Sequence, residues 1–563
     1  MSQQNRPWYA HYPAGVPHDV DTSAYGSLVD FLDESLKKYA DRPAYVSMGK
    51  ALTFGQLDAL SRQLGAYLQG LGLAPGDRVA IMMPNVLQYP VAVAAVIRAG
   101  FVAVNVNPLY TPRELEHQLR DSGARAIVIL ENFAATLQAV IAKTKVEHVV
   151  LASMGDMLGF PKGLIVNMVV RKKMVPAFSL PKAVPFKSAL AQGAGKTFRP
   201  ASPKRSDVAV LQYTGGTTGV SKGAMLTHDS IIAALLASEA WLQPALTKKP
   251  PRGQMNIVCA LPLYHVFAFI TCALLGMRAG GLNILIANPR DLPGMIKDLK
   301  PYKIHLFPAV NTLFNGLVNN AEFATLDFSE LVVSNGGGTA VQEAVAKKWL
   351  AVTGCPIVEG YGLSETCSGV TCNRTDSDRF TGTIGLPMSG VDIKILDDDG
   401  KEVAIGVAGE IAIKAPQVMA GYWQRPDDTT AVMTPDGYFK SGDVGVMDAE
   451  GFIKIVDRKK DMILVSGFNV YPNEVEAVCA EHPGVLECAA VGVPDAGSGE
   501  AVRLFVVRKD PALDEKTLLA FCRQNLTGYK SPKHIEFREA LPKTNVGKIL
   551  RRELRDEALK EKV

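Results

Sequence analysis

Up to about residue 350 the sequence alternates short apolar runs with helix-like stretches, and this alternation constrains the fold more than any other feature. The runs 78–83 (RVAIMM), 126–130 (AIVIL), 207–213 (DVAVLQY) and 257–261 (IVCAL) read as strands, and 89–99 after the first of them reads as a helix. Strands that alternate with helices predict parallel sheets joined by crossover helices. After Gly390 the texture changes, because Val391, Ile393 and Ile395 alternate with Asp392 and Lys394 before an acidic turn at 397–400 (DDDG). That period of two predicts a β-rich subdomain over about 385–456.

A five-residue charged run, Asp457-Arg458-Lys459-Lys460-Asp461, then separates two apolar segments and reads as a solvated connector at a domain boundary. Beyond it, a helix near 474–481 and strands near 487–492 and 503–507 predict a small α+β domain. The expected architecture is therefore α/β: an N-terminal body over 1–456, a hinge at 457–461, and a C-terminal α+β domain over 462–563. The 563 residues exceed one core, since domains of roughly 100 to 200 residues would give about three or four units.

The net charge of +4 is small for this length and no block of five or more like charges occurs, which argues against a nucleic-acid role. Eight cysteines include no CxxC pair and no histidine at zinc spacing, so they read as reduced core thiols in a cytoplasmic protein. The N-terminal MSQQNRPWYAHYPAG lacks the basic start and apolar run of a signal peptide. Residues 254–277 carry no Asp or Glu and, before Arg278, no Lys or Arg, which meets the length of a membrane span. Pro262 and His265 interrupt them, and a buried strand-turn-helix is expected there.

The sharpest local feature follows the strand 207–212: Tyr213-Thr214-Gly215-Gly216-Thr217-Thr218-Gly219-Val220-Ser221-Lys222-Gly223. Glycines let backbone N–H groups turn inward, hydroxyls add donors, and Lys222 adds positive charge; this is the chemistry of a phosphate cradle. It is not the G-x-x-x-x-G-K-[ST] loop, and Gly195-Lys196-Thr197 fails that pattern because Leu190 replaces its first glycine. A rival reading takes 219–223 as a G-x-S-x-G nucleophile elbow with Ser221 as the nucleophile of a serine hydrolase, which demands a strand immediately before and a helix immediately after.

The loop resembles the phosphate-binding loop of the adenylate-forming superfamily, which holds acyl-CoA synthetases, luciferases and the adenylation domains of peptide synthetases. Five more segments resemble it in order: Leu261-Pro262-Leu263-Tyr264-His265, Gly360-Tyr361-Gly362-Leu363-Ser364-Glu365-Thr366, Tyr438-Phe439-Lys440-Ser441-Gly442-Asp443, Asp457-Arg458, and Pro542-Lys543-Thr544-Asn545-Val546-Gly547-Lys548. The resemblance implies ATP and coenzyme A as co-substrates and Mg2+ held by Thr214 and Glu365, whose hard oxygens suit that ion. It implies nucleotide contacts from Thr214, Gly215, Gly216, Thr217, Thr218, Gly219 and Lys222, with Gly336, Gly337, Gly338, Glu359, Gly360, Tyr361 and Gly362 around the adenine. Ser364 is expected on the α-phosphate, Asp443 on the ribose hydroxyls, and Arg458 on ribose or phosphate.

His265 is expected to orient the acid, and Lys548 to stabilise charge as the carboxylate attacks phosphorus. The resemblance also implies rotation of the C-terminal domain about Lys460, bringing Ser466, Gly467 and Phe468 to the site for coenzyme A. Residues 457–472 and 526–530 look closest to bacterial long-chain fatty acid CoA ligases, with medium-chain or aryl acids as the alternative. Residues 266–269 and 312–314 are candidate walls of an acyl tunnel. Finally, residues 159–176 are too short to span a bilayer. An apolar stretch at 164–170 followed by Arg171, Lys172 and Lys173 suits either an anionic membrane surface at the inner face of the cell membrane or a buried helix with a solvated basic end.

Overall fold

The computed structural model describes residues 6–214, 221–458, 460–466, 468–495, 497–544 and 547–560. Two large sheets dominate the first 390 residues. In the seven-stranded sheet, six strands run parallel from Val184–Pro185 to Val208–Thr214, and only Lys222–Thr227 at the edge runs antiparallel. The nine-stranded sheet has a parallel centre from Ile357–Leu363 to Pro43–Ser47 and antiparallel strands at both ends. Central strands such as Ala126–Leu130 and Leu282–Leu285 are buried at every residue, which is why they read as continuous apolar runs.

A four-stranded antiparallel sheet, Asp392–Leu396 through Ile453–Arg458, follows, and it carries the predicted period of two. The last hundred residues form a five-stranded sheet with the helices Pro472–Glu481, Glu515–Asn525 and Arg551–Lys560. The α/β class expected from the sequence is therefore the class observed.

Two expectations change, and one is met. The charged run at 457–461 does not begin as a solvated loop: Asp457 and Arg458 end the strand Ile453–Arg458, and Asp457 is fully buried. The apolar stretch 254–277 is, as expected, a strand (Asn256–Cys259), a turn and a helical segment, and among the described residues no helix is long and apolar enough to cross a membrane. The helix Lys162–Met174 is not buried; only Gly163 and Val170 are enclosed.

All eight cysteines are free and buried.

Candidate active site

The carboxyl ends of Val208–Thr214, Leu306–Ala309, Val333–Gly336 and Ile357–Leu363, with the turn after Asn256–Cys259, open on one cavity of about 2180 Å3. Open parallel sheets present ligand sites at this end. Strands Phe439–Met447 and Ile453–Arg458 form one wall, and the C-terminal domain closes another. Thr214, Lys222, His265, Gly337, Gly338, Glu359, Gly360, Tyr361, Gly362, Ser364, Glu365, Asp443, Arg458, Lys460 and Lys548 all line it. Gly336 sits just behind, packed against Val341 and Ile357.

Glu365 lies in the one-turn helix Ser364–Thr366, and the next two residues, Cys367 and Ser368, both have positive φ (48° and 91°). Such non-glycine backbone is strained and persists where its surroundings over-determine it. Here Gly362 provides the space, since a Cβ on it would lie 1.6 Å from the Ser368 carbonyl oxygen. The Tyr422 hydroxyl donates to Glu365 Oε1 at 2.8 Å, fixing the carboxylate. Magnesium binds through one or two carboxylates while keeping waters and substrate phosphate oxygens. One immobilised carboxylate beside Thr214 fits that demand, and the described residues contain no cluster of three or more acidic, His or Cys groups that would suggest an all-protein cage.

Asp443 is buried and engaged at both oxygens: the Tyr361 hydroxyl donates to Oδ2 at 2.7 Å, and Arg458 Nε lies 3.1 Å from Oδ1. Glu359 accepts the Val341 N–H at 2.8 Å, and burial pushes its carboxyl up to about 8, so it holds a proton at neutral pH. His265 ends the turn and caps the helical segment, its Nδ1 accepting the Phe267 N–H at 3.3 Å. Burial, then the charge of Lys548, lowers it to about 4, leaving a neutral imidazole with Nε2–H as a donor.

Lys548 reaches the cavity from the C-terminal domain. Its loop is closed by Lys548 N–H to Thr544 Oγ1 (3.0 Å) and Thr544 N–H to the Lys548 carbonyl (2.7 Å), and is tied to the body by Thr312 Oγ1 donating to the Gly547 carbonyl at 3.1 Å. Burial and the Arg458 charge lower the ammonium to about 8, opposed by Asp443 and Glu365. Depressed from 10.5, the group keeps its proton below about 8 and loses it as pH rises through that value. We expect kcat/KM for any step needing the ammonium to fall roughly tenfold per pH unit above about 8. Lys548→Arg, whose guanidinium stays charged, should lack that limb. A limb that persists in the arginine variant would assign it to another group.

The other assignments distribute unevenly. Gly215, Gly216, Thr217, Thr218, Gly219 and Gly467 lie outside the described residues. Lys222 lines the cavity, paired with Asp428 at 2.5 Å. Ser466, with φ of 51°, and Phe468, stacked on Tyr529 at 4.8 Å, sit on the C-terminal sheet and are not among the cavity-lining residues. Of the candidate tunnel walls, Val266, Phe267 and Thr312 line the cavity, whereas Phe269 and Phe314 are core, the latter against Trp349. Trp241, Leu242 and Leu275 line it instead. Tyr422 was missed because nothing local marks a tyrosine 57 residues from the carboxylate it holds.

The serine-hydrolase reading fails on geometry. Ser221 is followed by the strand Lys222–Thr227, not a helix, its hydroxyl donates to the Thr214 carbonyl, and His117 meets its carbonyl oxygen instead of its hydroxyl.

Comparison with known proteins agrees with this geometry. The AMP-binding enzyme family matches residues 32–423, and the AMP-binding enzyme C-terminal domain matches 474–548. A long-chain-fatty-acid–CoA ligase of Salmonella typhimurium is 56% identical over 554 residues, covering 98% of both chains. Among solved structures, an anthranilate CoA ligase in complex with anthranoyl-AMP superposes with a TM-score of 0.84 at 25% identity, covering 96% of this chain and 99% of that one. MatB of Rhodopseudomonas palustris, 28% identical and covering 94% of this chain and 98% of its own, superposes at 0.78 in its ATP-bound form and 0.71 in its apo form. A match spanning most of the body and a second in the C-terminal domain identify this chain as a member of the AMP-binding enzyme family.

Proposed function

We propose that this chain ligates a long-chain fatty acid to coenzyme A through an acyl-adenylate, releasing pyrophosphate and then AMP. The observation that carries the reading is the convergence of Lys548 from the C-terminal domain with His265, Glu365, Asp443 and Arg458 from the body on one cavity. A carboxylate is a poor electrophile, and transfer to AMP gives it a good leaving group. The acid oxygen bonds to the α-phosphorus as the bond to pyrophosphate breaks. The coenzyme A sulfur then bonds to the acyl carbon as AMP leaves with the carbonyl's former oxygen partner.

In the first step His265 donates from Nε2 to orient the acid, and Lys548 and the Ser364 hydroxyl stabilise charge on the oxygens around phosphorus. Asp443 and Arg458 exchange their mutual contact for the ribose hydroxyls, while the protonated Glu359, Gly336 to Gly338 and Gly360 to Gly362 frame the base, with Tyr361 against it. The 215–219 backbone and Lys222 take the outer phosphates. Glu365 and Thr214 would hold Mg2+, which neutralises phosphate charge when bound.

The second step needs Lys548 out of the way and a thiol channel in its place. Rotation about Lys460 exchanges Lys548 for Ser466, Gly467 and Phe468; the position of Ser466 and Phe468 away from the cavity in this arrangement supports two alternating arrangements. The 56% identity to a long-chain-fatty-acid–CoA ligase supports the substrate class. Contact with an anionic membrane surface belongs to the same reading, because long-chain acids partition into bilayers. AMP release across saturated fatty acids of increasing length and aryl acids, with coenzyme A present, tests it. Long-chain acids should give the highest kcat/KM; a preference for benzoate-type acids would overturn the substrate assignment.

A further inference from the structure

The helix Lys162–Met174 is turned inside out relative to an ordinary surface helix. Its polar side chains hold it to the body: Asn167 Oδ1 accepts the Gly155 N–H at 2.6 Å, and Arg171 Nε meets the buried Glu131 at 2.9 Å. Gly163 lets the helix backbone close on Gly155, where an added Cβ would sit 2.2 Å from the Gly163 carbonyl oxygen. Residues 163, 167, 170 and 171 thus form the docked edge, at helical spacing. Apart from Val166 and Val170, the apolar side chains point the other way. Among the described residues, six of the thirteen exposed large hydrophobics in the molecule lie here: Phe160 (89% exposed), Leu164, Ile165, Met168, Val169 and Met174.

The ridge lies in a basic stretch of the chain, although Arg171, Lys187 and Arg205 in that stretch are paired with Glu131, Asp156 and Asp229. Residues 157–206 contain ten Lys or Arg and no Asp or Glu, in a chain whose net charge is only +4, so the rest of the protein is net acidic. Lys172 and Lys173 are exposed, and among the described residues no ion pair or hydrogen bond is formed by their side chains. Aliphatic side chains flanked by unneutralised cations match a bilayer boundary, where the ridge enters the acyl region and lysines meet anionic headgroups. Contiguous exposed apolar surface of this kind marks an interaction site.

We propose that Phe160 to Lys173 is a docking ridge for an anionic lipid bilayer, with Leu164, Ile165, Met168 and Val169 inserted and Lys172 and Lys173 on the headgroups. Arg171, which sequence places in the same basic cluster, is excluded because it holds Glu131. The proposal rests on a membrane-partitioned substrate for its purpose, but vesicle binding is measured without turnover, so either reading can fail alone.

The test is co-sedimentation of the full chain with phosphatidylcholine vesicles lacking or containing phosphatidylglycerol, at low and high salt. The parent should partition to the anionic vesicles and be weakened by salt. Lys172→Ser with Lys173→Ser should lower the low-salt partition coefficient about thirtyfold, at about 1 kcal/mol for each basic residue. Leu164→Ser with Met168→Ser should lower it at both salt concentrations. Both variants should keep parental turnover of a soluble short-chain acid, since none of the four residues lines the cavity. Unchanged sedimentation of both variants, or equal binding to neutral and anionic vesicles, overturns the proposal. So does a concentration-dependent dimer, abolished by Leu164→Ser with Met168→Ser, in a protein that ignores vesicles.

Discussion

Lys548→Ala is expected to lower acyl-adenylate formation by about a hundredfold to a thousandfold, the effect of losing one preorganised charge-stabilising donor worth about 3 to 4 kcal/mol. The structural reason is that this ammonium is kept at the cavity by the Thr544 and Thr312 contacts of its loop, where burial and then the Arg458 charge lower its pKa. Thioester formation from synthetic acyl-AMP should stay within a few-fold of the parent if, as proposed, that step uses another arrangement of the C-terminal domain. Rapid-quench measurement of each half-reaction separates the two. If thioester formation falls as far as adenylation, Lys548 is not specific to the first step.

Arg551→Leu is expected to be the most destabilising single change in the C-terminal domain. Arg551 donates to both oxygens of Glu476 (2.8 and 2.6 Å), to Asp457 Oδ1 (3.1 Å) and to Asn473 Oδ1. Asp457 is fully buried, and burial raises the carboxyls of both Glu476 and Asp457 despite the arginine. Removing the shared cation strands the buried Asp457 and the largely enclosed Glu476, a loss of about 3 to 5 kcal/mol. The deficit should shrink as pH falls, because in the variant both carboxyls have folded-state values further above their unfolded ones and take up protons first. Denaturant unfolding of parent and variant at pH 5 and pH 8 checks this. A difference below about 1 kcal/mol at pH 8 would mean the network is solvated and weak. Adenylation should fall with stability, since Asp457 and Arg551 tie the body strand to the segment carrying Lys548.

What the sequence made legible follows from what each pattern depends on. Parallel strands such as Ala126–Leu130 are buried on both faces, so their apolar runs stand out without reference to the rest of the chain. The antiparallel Asp392–Leu396 shows its period of two for the same local reason. Cavity residues were found through ordered motifs, each short and positioned by its own strand end. Long-range partners left no local signal: Tyr422 on Glu365, Thr312 on the Lys548 loop, and Arg551 on Asp457. The connector at 457–461 looked solvated because its charges are visible and their neutralising partners, up to 94 residues away, are not. The helix Lys162–Met174 deceived for the opposite reason. Polarity conventionally marks the outward face, and here Asn167 and Arg171 face inward to Gly155 and Glu131.

In the proposed reaction the cavity makes an acyl-adenylate before coenzyme A takes part. Exchange of labelled pyrophosphate into ATP, with a long-chain fatty acid and magnesium present and coenzyme A absent, measures that step alone. Exchange should require the fatty acid and collapse in Lys548→Ala. Exchange that needs coenzyme A, or that proceeds without any acid, would contradict it.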